Sequence, residues 1–450
     1  MTDSRLRLVL AGAVVLIFAV SANIAWLNPW PERDSFRGIE SVPVMWQYNR
    51  AAGVEILSAA YFPETFRTYT DRINRPVYPF AVWAIGNTIG FVASPVVELG
   101  PLERAGAGYV VLKLLVFFSG GWVMYRILRR WIAPEPALFA VLLMLFHANS
   151  IEYIGTFQTT ELQVITPIFV IGMFLAVVDR RGNLWLVALA SFALGVLMLA
   201  KQNYAVYLAI ILFALWKRRL LEVAVSIVVH LIPLGLYLLF LRAVDIPYVN
   251  HEAVTYDQGV WMVELFRQNP IQSARQILDS FDVSLRHLVG FFGVWLFLAT
   301  AALARRREFA LERNHLVFVA LLFLSTWGQA FAAARYYDYM LSDVAIVVYG
   351  LAGWLFWSWL EQIGDGTRSS PERLRHWIAR GVLGVWFLVN VLSFVHFPWV
   401  HPFDQPARGG DILENRLEMV ENPDQFTDDQ RARARGGVIV EPDALPQENN

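Results

Sequence analysis

A stretch of about 20 apolar residues must be buried in a protein core or cross a bilayer, and this chain carries one such stretch after another. The first, Leu6 to Leu27, follows Arg5 and is long enough to cross about 30 Å of hydrocarbon. Its length and the absence of a small-residue cleavage site predict an uncleaved first span. Further runs lie at about Tyr78 to Ala93, Ala107 to Leu128, Ala137 to Phe146, Leu162 to Val178, Leu184 to Ala200, Tyr204 to Trp216, Leu220 to Leu241, Leu288 to Leu303, Leu316 to Phe331, Met340 to Leu360 and Trp377 to Val395. With 56% hydrophobic and 17% charged residues, the chain is too apolar for an ordinary soluble domain. The expected class is an all-α polytopic membrane protein, since backbone polar groups in lipid are satisfied only within helices or closed barrels.

Basic clusters set the direction of threading. Arg126/Arg129/Arg130, Arg180/Arg181, Lys217/Arg218/Arg219, Arg305/Arg306/Arg307 and Arg368/Arg373/Arg375 sit in connectors of the kind retained in the cytoplasm. Each successive pair of clusters encloses two apolar runs, as alternating threading requires. The start of the chain breaks the pattern: between Arg5/Arg7 and Arg126 lie three runs where parity allows two. Tyr78 to Ala93 is the run expected not to cross. It is short, opens with Pro76 and Pro79, holds Gly86-Asn87-Thr88 in its middle and ends at Pro95. About eleven spans follow, with the N-terminus cytoplasmic and the C-terminus extracytoplasmic.

On this threading residues 1–395 form the transmembrane domain, with a first external loop at about 28–104 and a second at about 245–286. The second contains an amphipathic piece, Gly259 to Leu288, expected on the membrane surface. Residues 396–450 are rich in Pro, Asp, Glu, Arg and Gln and form a polar external tail. The absence of Cys excludes disulfides, a thiol nucleophile and a Cys-ligated metal. Basic residues are dispersed among connectors with no single patch, which argues against nucleic acid as a partner.

Ionisable groups near bilayer depth are costly and therefore candidates for function. Lys201, in Ala200-Lys201-Gln202-Asn203-Tyr204, and Arg335, in Ala334-Arg335-Tyr336-Tyr337-Asp338, fall at the outer face, where cations would suit a phosphate or a sugar. Snorkelling of Lys201 and pairing of Arg335 with Asp338 or Asp343 explain the same residues structurally. Lys113 lies within the second span, where it could reach an anionic headgroup or simply snorkel. Glu161 follows Thr159-Thr160, where an acidic first-turn residue also serves a helix terminus. The first loop adds Glu32, Asp34 and Glu40, then Asp71-Arg72-Ile73-Asn74-Arg75-Pro76-Val77-Tyr78-Pro79. A carboxylate tethered near a span end has the fixed depth that a general base needs, and spacing does not choose among the three.

In order and position these features resemble the GT-C superfamily of membrane glycosyltransferases, which take sugars from polyprenyl-phosphate donors on the non-cytoplasmic side. The likeness runs from about Arg5 to Leu360: an acidic residue soon after the first span, Arg75-Pro76-Val77-Tyr78-Pro79 opening a juxtamembrane helix, Lys113, Thr160-Glu161-Leu162, Gly195 to Tyr204, and Ala334-Arg335-Tyr336-Tyr337. The resemblance implies Asp34 as the base that deprotonates the acceptor hydroxyl, with inversion at the sugar. It implies Arg75, Tyr78, Lys113, Glu161, Lys201, Arg335 and Tyr336 as substrate contacts, with Arg335 and Lys201 on the leaving phosphate. The implied partners are a polyprenyl-phosphate-linked sugar donor, a glycan, lipid or protein acceptor, and membrane lipid, in a bacterial inner (plasma) membrane. No cofactor is implied. The first loop lacks the paired acidic residues of more easily recognised members, which keeps Glu32 and Glu40 as rivals to Asp34 and leaves a metal without support. Two other readings share the membrane architecture: a transporter or flippase of lipid-linked saccharides, and an O-antigen polymerase or ligase using His147, His251 or Arg335.

Overall fold

The computed structural model of the protein describes residues 3–26, 50–68, 73, 75–157, 161–180, 182–201, 204–205, 207–215, 220–248, 267, 269–305, 320–322, 324–325, 344–365 and 371–396. The fold is all-helical, and among the described residues no β-strand occurs. The helices are α1 (Asp3–Trp26), α2 (Arg50–Ala60), α3 (Thr65–Thr68), α4 (Val77–Ala93), α5 (Pro101–Leu128), α6 (Pro134–Leu145), α7 (Ala148–Ile154) and α8 (Glu161–Asp179). They continue as α9 (Leu184–Ala200), α10 (Tyr207–Ala214), α11 (Leu220–Ala243), α12 (Pro270–Phe292), α13 (Val294–Ala304), α14 (Ala345–Asp365) and α15 (Pro371–His396).

Local sequence sets several boundaries. Pro101 opens α5 at a position where its missing N–H is not needed, and the Glu103 carboxylate accepts from the Gly100 N–H. Asn183 caps α9, its Oδ1 accepting from Leu186 N at 3.1 Å. Within α4, Asn87 and Thr88 donate to the carbonyls of Trp83 and Ala84 at 2.9 and 2.8 Å, so the polar centre of this run is absorbed by its own helix.

Among the described residues four helices are long and apolar enough to cross a bilayer: Asp3–Asn23, Pro101–Leu128, Leu220–Ala243 and Arg373–Ser393. The number rises to six if two bent pairs each count as one span. Both pairs modify the expectation from sequence. The run at Ala137 to Phe146 is not a straight span: α6 ends at Leu145, and α7 restarts at a bend of 60°, because His147 in extended backbone caps a new helix. The run at Leu288 to Leu303 is divided at Gly293, whose φ of +51° is left-handed, so its first residues belong to α12 and the chain turns by 102° into α13. The described amphipathic helix therefore runs to Phe292, past the expected end at Leu288.

Lipid offers no hydrophobic gain for helix association, so close fit must hold the helices together. In α4 and α5 the fit is backbone to backbone. A Cβ on Gly86 would lie 2.2 Å from the Arg104 carbonyl oxygen, and one on Gly108 would lie 2.3 Å from that of Val82. These pairings run in opposite directions along the two helices, so α4 lies antiparallel to the N-terminal half of α5. A Cβ on Gly195 would meet the His230 carbonyl at 2.2 Å, and Ser191 and Ser226 share a hydrogen bond of 2.7 Å, which binds α9 to α11. The main core joins α1, α5, α6, α7, α8 and α14 through residues such as Leu10, Ile17, Phe117, Leu143, Ile165 and Leu355.

Candidate functional site

Antiparallel packing carries the start of α4 down beside the middle of α5. Tyr78, in the first turn of α4, meets Tyr109 with ring centroids 5.3 Å apart, and Tyr109 meets Phe157 at 5.3 Å. One turn further along α5, the ammonium of Lys113 lies 5.9 Å from the Tyr109 ring centroid. Lys113 is fully buried and donates to the carbonyl of Tyr153, in the last turn of α7, at 2.7 Å. The helix begins at Pro101, six residues before the apolar run read from Ala107.

The first loop closes over this group. Ile56 and Ala59 of α2 pack with Tyr78, Val82, Tyr109 and Phe157, and the neighbouring Glu55 is buried with them, 2% exposed. Thr65 donates to the carbonyls of Leu57 and Tyr61 at 3.0 and 3.2 Å, which holds α2 to α3. From there Phe66 and Ile73 pack against Leu199, Tyr237, Leu241 and Ile246, and the Tyr237 hydroxyl donates to the Ile73 carbonyl. Arg75, half-buried, therefore lies between an anchor on the end of α9 and an anchor on α5. Lys201 is two residues beyond Leu199, 7% exposed, in extended backbone that ends α9. Of the residues expected to act together, Tyr78 and Lys113 both lie against Tyr109, while Arg75 follows Ile73 and Lys201 follows Leu199, two residues that pack in one cluster. Asp34, Glu32, Glu40, Arg335 and Tyr336 lie outside the described residues, as do His251 and the 396–450 tail apart from His396. Glu161 begins α8, and its side chain is likewise outside the description.

Three buried residues near this group were not singled out in the sequence. Tyr109 stands at i−4 from Lys113, the spacing that stacks side chains on one helix face, and that signal was present. Glu55 and Glu152 are carboxylates in apolar helices, 2% and 3% exposed. An isolated acidic residue in Val54-Glu55-Ile56-Leu57 was the available sign of the first. Among the described residues no group of three or more His, Asp or Glu is placed to hold a metal ion.

The described residues form an all-helical membrane architecture in which Lys113 of α5 is buried beside Tyr109 and near Tyr78 of α4. Residues 103–242, from α5 into α11, match the model of the family described as dolichyl-phosphate-mannose-protein mannosyltransferase. No curated protein matches the chain. Among solved structures it is similar to the oligosaccharyltransferase of Archaeoglobus fulgidus in complex with zinc and sulfate, at 14% identity and a TM-score of 0.49, covering 85% of this chain and 53% of that one. The same archaeal enzyme, AglB, in complex with an inhibitory peptide and a dolichol-phosphate is similar at 12% identity and a TM-score of 0.45, covering 85% and 55%. The chain thus spans about half the length of these proteins. Likeness at this level sets no residue-to-residue correspondence.

Proposed function

We propose that the protein transfers a sugar from a polyprenyl-phosphate donor to a glycan, lipid or protein acceptor at the extracytoplasmic face of a bacterial inner membrane. The observation that carries this reading is Lys113: a buried cation beneath the Tyr78–Tyr109 pair, roofed by first-loop helices, within the stretch that matches the mannosyltransferase family. A lipid phosphate leaves with negative charge developing on oxygen, and fixed cations in a water-poor site stabilise that charge more than they would in bulk water. In this scheme Lys113 supplies charge from below, and Lys201, Arg75 and Arg335 supply it from the sides. Tyr78, Tyr336 and Glu161 contact the donor or the acceptor. Asp34 removes the acceptor proton, and direct displacement inverts the anomeric centre. The N-terminus is then cytoplasmic and the C-terminus extracytoplasmic.

The test is Asp34→Asn, assayed for transfer from a polyprenyl-phosphate sugar. A drop in rate of about 10²-fold or more is expected for loss of a general base, and full activity would remove Asp34 from that role. Mass spectrometry of lipid co-purifying with the protein would identify the donor class.

A flippase of lipid-linked saccharides draws support from one observation, the two bent helix pairs α6/α7 and α12/α13, because broken helices are common at transport sites. It predicts movement of lipid-linked sugar between leaflets without transfer. The polymerase or ligase reading loses His147, whose ring nitrogens are both engaged inside the protein. Nδ1 accepts from Asn149 N at 3.2 Å, so Nε2 carries the proton and donates to Phe291 O at 3.2 Å.

A further inference from the structure

α7 is only seven residues long, yet both its ends are tied to functional or surface elements. At its C-terminal end the Tyr153 carbonyl holds the Lys113 ammonium. At its N-terminal end Ala148 N donates to Asn390 Oδ1 of α15 at 2.8 Å, and Ser150 donates to the Met144 carbonyl at 2.8 Å. The third tie is His147, which caps α7 through Nδ1, donates to the Phe291 carbonyl through Nε2, and stacks on the Phe291 ring with centroids 4.1 Å apart.

Phe291 belongs to α12, and α12 is set apart from its surroundings. Its last two turns, Leu285–Phe292, stand at 102° to the apolar α13, so α12 does not continue in the direction of α13. Ile271, Leu278, Phe281, Leu285 and Val289, spaced by three, four and seven residues along one face, are all exposed. Arg275, Asp282 and Arg286 border that face along one edge, with Arg286 paired to Asp282. That is the pattern of a helix lying in the interface, its apolar face in the acyl boundary.

We propose that His147 is a positioning residue, the link through which the amphipathic helix α12 sets the place of the Lys113 ammonium. The path is short and continuous: Phe291 carbonyl and ring, His147 imidazole, α7, Tyr153 carbonyl, Lys113. His147 itself touches no reacting group. It acts by fixing the axial position of α7, and with it the carbonyl that holds the lysine. The proposal rests on the reading that Lys113 contributes to binding the donor phosphate.

The experiment is a double-mutant cycle on the full chain in nanodiscs, reading affinity for dolichyl phosphate. Lys113→Met is expected to weaken binding by about tenfold to a hundredfold, the range for a hydrogen bond or ion contact to a charged group. His147→Ala is expected to weaken it by about threefold to tenfold, and the double variant to bind no more weakly than Lys113→Met alone. His147→Asn keeps an acceptor for Asn149 N, and so preserves the helix cap and the fold, but loses the tie to Phe291. It should weaken binding as His147→Ala does. Wild-type affinity in His147→Asn, or additive losses in the double variant, would overturn the link while leaving the phosphate role of Lys113 standing. Unchanged affinity in Lys113→Met would overturn that phosphate role and the link together, a result distinct from either of the others.

Discussion

Two junctions hold this membrane domain together by opposite means. At Gly86 and Gly108, where α4 crosses α5, the two backbones meet without side chains between them, facing the carbonyls of Arg104 and Val82. Where α7 meets α12 and α15, side chains fill the space and hydrogen bonds fix them: His147 to Phe291, Asn390 to Ala148, and Trp386 Nε1 to the Leu143 carbonyl at 2.9 Å. The first junction is a matter of volume and the second of polarity. A shape contact tolerates no added atom, whereas a polar contact tolerates no missing partner, because a donor stranded in lipid-like surroundings has no water to turn to.

That contrast can be broken at either side. Gly108→Ala forces a Cβ into the Val82 carbonyl, and Gly86→Ala does the same at Arg104. Each should cost about 1–3 kcal/mol or more and separate Tyr78 from Tyr109. The check is thermal unfolding in detergent together with sugar transfer, both of which should fall. At the polar junction Asn390→Leu preserves bulk but leaves the Ala148 N–H unpartnered, with an expected loss of about 1–2 kcal/mol in the same unfolding assay. Trp386→Phe removes the hydrogen bond to the Leu143 carbonyl together with part of the ring that packs on Trp295, and should cost about 1–2 kcal/mol in the same assay. The smallest effect belongs to the Arg130–Asp179 pair, 2.7 Å long but with side chains 40% and 51% exposed. Asp179→Asn should change stability by no more than about 0.5 kcal/mol at moderate salt.

Much of this architecture was legible before any coordinates, because helices in lipid must be apolar and long, and those are properties of composition. The resemblance to GT-C enzymes was likewise carried by residues that can be read in order. The helix breaks were less accessible. Phe146-His147 continues an apolar run, and nothing in a hydropathy profile says that an imidazole will turn back to cap the next turn. Gly293 is one of several glycines in apolar surroundings, and only its left-handed φ singles it out. The start of α5 was less accessible for a similar reason: the apolar run begins at Ala107, whereas the helix starts at Pro101 and carries Leu102, Glu103 and Arg104 before it. The contacts of Phe62, Phe66, Ile73 and Tyr78 with α5, α9 and α11 could not be read from the order of residues, because they depend on how distant helices pack.

The 28 residues of α5 make a rod of about 42 Å, some 12 Å more than the hydrocarbon layer it crosses. No break separates the part that carries α4 and α2 from the part in lipid, so the whole behaves as a lever with its fulcrum in the membrane. A tilt of about 20° would swing the end of a 12 Å overhang by roughly 4 Å, more than the length of a hydrogen bond. Bilayer thickness, by setting that tilt, would move the Pro101 end of α5 and the α4 contacts at Arg104 most, and Tyr109 and Lys113, farther along the rod, less.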